Sequence, residues 1–162
     1  MYEHIKFKNA INMRKANYDK FPSTKLTGML VQGWDIIISM LKEKMDARKV
    51  LAVDLYTGVY EEEVLDAFSK EFSGRVMNVR DLMKPEKEIQ TLTERFMTED
   101  VLFGYVTNLK LEDYLDADKV AAARKQISEA KDAIVIIGTG ASVVAPQDAM
   151  VVYADMARWE IQ

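Results

Sequence analysis

The residues of this chain best suited to chemistry fall in three short stretches. Asp54-Leu55-Tyr56-Thr57-Gly58-Val59-Tyr60 joins an apolar run to a helical pattern, which is where many α/β proteins carry a phosphate-binding loop. Gly138-Thr139-Gly140-Ala141-Ser142 combines glycines with hydroxyls. Glycines permit unusual backbone angles and close ligand approach, and hydroxyls donate hydrogen bonds. Asp155 and Arg158 follow the last apolar run. Such a pair either clamps a phosphorylated ligand or neutralises itself. The candidate ligand-binding residues are therefore Asp54, Thr57, Gly58, Gly138, Thr139, Gly140, Ser142, Asp155 and Arg158.

The first stretch departs from a working P-loop. G-x-x-x-x-G-K-[ST] uses backbone N–H groups to cradle phosphates, a lysine to neutralise them and a hydroxyl to hold magnesium. Here the first glycine, the lysine and the following hydroxyl are missing, and Glu61, Glu62 and Glu63 come next. Carboxylates in the first turn of a helix stabilise it through its dipole. They also occupy the end that would otherwise attract an anion. These features oppose an ATP site, and no catalytic residue is assigned. In the second stretch GxG is a weak signal, and Val143-Val144-Ala145-Pro146 opens no obvious helix. A tight turn leaving a buried strand is the expectation there, with ligand binding the alternative.

Composition removes several other chemistries. The chain has 162 residues, no cysteine and one histidine, His4. Disulfides, thiolate catalysis and cysteine-ligated metal are excluded, and a zinc site built on two or three imidazoles cannot be assembled. A net charge of −4 gives no general reason to expect nucleic acid. The charge is uneven: residues 1–25 hold Lys6, Lys8, Arg14, Lys15, Lys20 and Lys25 against Glu3 and Asp19. They read as a basic arm, with residues 26–162 as a single α/β domain. No signal peptide is visible, and the apolar stretch Ala133 to Pro146 is too short and too polar to span a bilayer. A cytoplasmic protein without a membrane partner is expected.

Several elements must position these residues. Trp34, Ile37, Ile38, Leu41 and Met45 recur at helical spacing. Lys49 to Asp54 is a strand-length apolar run, Glu61 to Phe72 returns to helix, and Arg75 to Val79 reads as a second strand after Gly74. Pro85 to Met97 is helical with proline in its first turn. Val101 to Val106 reads as a strand or a buried loop. Asp118 to Lys131 forms a helix capped by Asp116 or Asp118, and strands follow at Ala133 to Ile137 and Met150 to Tyr153. Alternating strands and helices with uninterrupted apolar runs predict three layers: a mostly parallel sheet with helices on both faces. Ligands in such sheets bind beyond the carboxyl ends of the strands.

The run Val152-Tyr153-Ala154-Asp155-Met156-Ala157-Arg158-Trp159-Glu160-Ile161-Gln162, with Gln32-Gly33-Trp34-Asp35 and Gly138-Thr139-Gly140-Ala141-Ser142, carries a family resemblance. It resembles the N-terminal region of bacterial class I mannose-6-phosphate isomerase-like proteins, over about residues 17–162. The resemblance implies a degenerate, P-loop nucleotide-kinase-like domain followed by a zinc-dependent cupin. The chain then reads as a fragment without cofactor of its own, with zinc and aldose–ketose isomerisation in the cupin. Its expected partners are that cupin and a sugar phosphate or nucleotide. The alternatives are a divergent small-molecule kinase, with Asp54 as base or magnesium ligand and Arg158 replacing the lysine, and a structural or homo-oligomerising module.

Overall fold

The computed structural model describes residues 23, 25, 27–45, 49–100 and 102–156. The chain divides into units of residues 1–30 and 31–162. Most of the basic arm lies outside the described residues, and those of the first unit carry no helix or strand.

In the second unit, the apolar runs became strands because they are covered on both sides. Strand β1 (Val50–Leu55) and strand β3 (Ile134–Gly138) are almost wholly buried. Residues of β3 from Ile134 to Ile137 expose at most 1% of their surface. Helix α1 (Trp34–Met45) precedes β1, and helix α2 (Glu61–Glu71) links it to β2 (Arg75–Asn78). A 3-10 turn (Val79–Leu82), helix α3 (Glu86–Glu94), the single turn α4 (Leu111–Tyr114) and helix α5 (Ala117–Glu129) lead to β3. The short α6 (Ala141–Val144) then leads to β4 (Met150–Ala154).

These four strands form one all-parallel sheet in the order β2-β3-β1-β4. Alternate residues of β1 and β3 feed two separate cores, as the two-residue period of a strand requires. Val50, Ala52, Ile134 and Ile136 pack with Val120, Ala123 and Ile127 of α5 and with Ala141 and Val144 of α6. Leu51, Val53, Val135 and Ile137 pack with Ile38 of α1 and with Val64, Ala67 and Phe68 of α2. The result is the expected three layers. Phe68 is 1% exposed, and burying a side chain of that size stabilises the fold by about 2–3 kcal/mol.

The connections share one hand. The move from β1 outward to β2 crosses the α2 face, and the two moves back across the sheet use the α5–α6 face, as a common right-handed crossover rule requires. One consequence locates the site. β1 and β3 are neighbours, yet the chain leaves β1 for one face and β3 for the other. The crevice between their carboxyl ends is thus a topological switch point.

Two local expectations need correction. Residues 102–106 are neither strand nor buried: Leu102, Phe103, Tyr105 and Val106 are 70–97% exposed. Val101 itself lies outside the described residues. The segment folds on its own polar groups, since Asp100 Oδ1 accepts from the amides of Leu102 (2.8 Å) and Phe103 (3.2 Å), and Tyr105 N–H donates to Phe96 O (2.8 Å). Conversely, Ala141 to Val144 does form one helical turn. Among the described residues no helix is long and apolar enough to cross a membrane.

Candidate functional site

Asp54 is the fifth residue of β1, in register with Gly138 on β3 and Tyr153 on β4. Its side chain belongs to the α5–α6 face, and it is half-buried at the switch point. A carboxylate there needs donors, and the following β3–α6 loop supplies them. Gly140 N–H donates to Asp54 Oδ1 at 2.9 Å, and Ser142 N–H to Oδ2 at 3.0 Å. The Ser142 hydroxyl also donates to Oδ2. Charge-assisted bonds of this kind are about twice as strong as neutral ones.

The loop itself is shaped for this contact. Gly138 has φ of +137°, and a Cβ there would stand 2.8 Å from the Cβ of Val79. Gly140 has φ of +85°, the left-handed conformation, which turns its amide back toward β1. Between them the Thr139 hydroxyl donates to the carbonyl of Leu55 at 3.0 Å. The crevice between β1 and β3 is therefore bridged by Asp54 of β1 and by Thr139 of the loop that follows β3.

Thr57, Gly58 and Asp155 do not join this cluster. Thr57 and Gly58 lie exposed in the β1–α2 turn, where Gly58 takes φ of +99° and Val59 N–H donates to Tyr56 O at 3.2 Å. Asp155 is exposed and accepts from the neighbouring Met156 amide at 2.8 Å, so it serves its own backbone. Arg158 lies outside the described residues. Beside the cluster, Tyr56 and Tyr153 meet edge to face with centroids 6.2 Å apart. The Tyr153 hydroxyl is pushed above the ordinary tyrosine value by desolvation first, and then by the nearby negative charges of Asp155, Tyr56 and Asp54.

The three glutamates are not equivalent. Glu61, at the first position of α2, accepts from the Arg80 guanidinium through Oε2 at 3.0 Å. Glu63 accepts from the Trp34 indole at 3.0 Å and so ties α2 to α1. The pairing of Glu61 with Arg80 escaped the sequence reading. Nothing in the local pattern announces it, because it depends on the α2 crossover bringing both residues to the same end of the sheet. Among the described residues no group of three or more His, Asp or Glu side chains is gathered as a metal site.

Fold and site together define an α/β protein with a parallel sheet whose switch-point crevice is bridged by its own carboxylate. Residues 33–162 match the family model described as Domain of unknown function (DUF8485), and the chain belongs to that family. No curated protein and no solved structure matches it.

Proposed function

We propose that the chain is the P-loop-kinase-like N-terminal domain of a mannose-6-phosphate isomerase-like protein, and that it acts there as a non-catalytic module. One observation carries the loss of transfer chemistry: the Asp54 carboxylate occupies the amide donors of Gly140 and Ser142. An anionic phosphoryl group arriving at the switch point would meet a negative charge already holding those donors. The β1–α2 loop offers no compensating lysine, and Glu61 to Glu63 open the helix that follows. Aldose–ketose isomerisation, with the zinc it uses, belongs in this reading to a cupin beyond residue 162.

Assaying magnesium-dependent ATP hydrolysis and transfer to mannose tests the non-catalytic role. No turnover is expected, from the wild type or from Asp54→Asn. Turnover by the wild type that disappears in Asp54→Asn would establish the divergent kinase instead. The reading frame after Gln162 tests the kinship: a cupin with histidine and glutamate ligands is expected, and a domain of another kind overturns the isomerase assignment.

A further inference from the structure

Next to the bridged crevice a second opening remains, beside the carboxyl ends of β2 and β3 and the start of α2. It is a cleft of about 290 Å³ with Gly138 and Thr139 in its lining. Val79, Met83, Leu111, Tyr114 and Leu115 give it mostly apolar walls, and Glu61 and Arg80 are its charged groups. A larger cavity of about 620 Å³ lies at the opposite, amino-terminal end of the sheet, against Val50 and Ala149. The smaller cleft has the chemistry. Among the described residues, only there does a buried polar side-chain atom lack a hydrogen-bond partner, and that atom is Glu61 Oε1.

Glu61 uses Oε2 on Arg80 and leaves Oε1 unsatisfied. A buried carboxylate oxygen without a donor is unfavourable, so such a group calls for an explanation. The surrounding protein covers this oxygen, and a donor arriving in the cleft reaches it once the Glu61 carboxylate swings outward, a motion that the soft terminal torsion of glutamate allows. Arg80 is 64% exposed, and a guanidinium carries five N–H donors in a planar fork suited to a carboxylate. The pair is neutral as a whole, which favours a neutral ligand with separated charges. A dianionic phosphate would set two negative charges and the Glu61 carboxylate against one arginine.

We infer that this cleft, with Glu61 and Arg80 at its charged end, binds a free 2-amino acid with an apolar side chain. The ammonium donates to Glu61 Oε1, the carboxylate accepts from Arg80, and the side chain lies among Met83, Leu111 and Tyr114. Ligand pockets of this kind join apolar walls to a few convergent polar groups, and the volume accommodates one leucine-sized molecule. The inference does not depend on the isomerase kinship, so either can fail alone.

Calorimetric titration of the chain with L-leucine, 4-methylpentanoate and 3-methylbutylamine tests it, since the last two lack the ammonium and the carboxylate respectively. Saturable binding of leucine is expected, with each truncated probe at least about tenfold weaker, ~1.4 kcal/mol. Glu61→Gln lowers the affinity for leucine by a similar factor. Leu111→Trp, at a position 45% exposed, fills the cleft and abolishes binding while the melting temperature holds. That second variant keeps the test decisive if Glu61→Gln proves unstable. Absence of saturable heat with leucine overturns the inference, as does 4-methylpentanoate or inorganic phosphate binding as tightly as leucine.

Discussion

Asp54 and Ser142, 88 residues apart in the chain, are joined through both the backbone amide and the hydroxyl of the serine. With the Gly140 amide on the other carboxylate oxygen, this contact fixes the β3–α6 loop to β1 and bridges the place where parallel sheets receive ligands. Asp54→Ala leaves two backbone donors without their partner. The expected loss is about 3 kcal/mol, seen as a lower urea midpoint at an unchanged slope. Asp54→Asn keeps one acceptor but turns an amide group toward the other donors, and it should fall between the alanine variant and the wild type. A carboxylate serving only as an exposed surface charge would give equal midpoints for all three.

Gly138 and Gly140 separate two reasons for glycine. At Gly138 a positive φ coincides with a Cβ position 2.8 Å from Val79, whereas at Gly140 the nearest atom would be 3.8 Å away. Gly138→Ala therefore adds a clash to backbone strain and should cost about 3 kcal/mol or more. Gly140→Ala pays the left-handed backbone term alone, about 1–2 kcal/mol. Thermal melts of the two variants check the order. Equal losses would show that the loop relaxes away from Val79.

Much of this fold was legible because its central strands are buried on both faces. β1 and β3 read as unbroken apolar runs, and α2 and α5 show one apolar stripe each, so element type followed from period and length. Asp116 was recognisable as a cap, and it accepts from the amides of Asp118 and Lys119 at 3.0 and 3.1 Å. The site was legible only in its parts. Asp54 and the Gly138 to Ser142 loop stood out by residue type, but their mutual satisfaction depends on strand register, which no local pattern encodes. Glu61 and Arg80 meet by the same kind of long crossover, 19 residues apart. Leu102 to Val106 misled for a related reason: apolar content does not show whether anything covers it.

That segment yields a prediction of its own. Val106 is 97% exposed and Phe103 72%, so neither contributes to a core. Val106→Ser and Phe103→Ser should each change stability by less than about 0.5 kcal/mol. A strand or buried loop would instead lose about 2 kcal/mol or more per site. Denaturant titration of the two variants distinguishes these outcomes.

Tyr153 makes the alkaline side of the stability profile informative. Its hydroxyl holds its proton more tightly in the folded chain, through desolvation and then through Asp155, Tyr56 and Asp54. Between the unfolded value of about 10 and the raised folded value, the native state binds more protons than the unfolded one. The contribution of this group to stability then falls as pH rises through that window. The contribution is fully present below the unfolded value and is lost once pH passes the folded one. Tyr153→Phe removes the titrating group but keeps the ring beside Tyr56, so its stability should decline less steeply above about pH 10. Unfolding midpoints of both proteins across that range give the slopes directly. Parallel slopes would mean that the folded environment of Tyr153 does not favour its protonated form, and that the negative charges of Asp54 and Asp155 are screened from it.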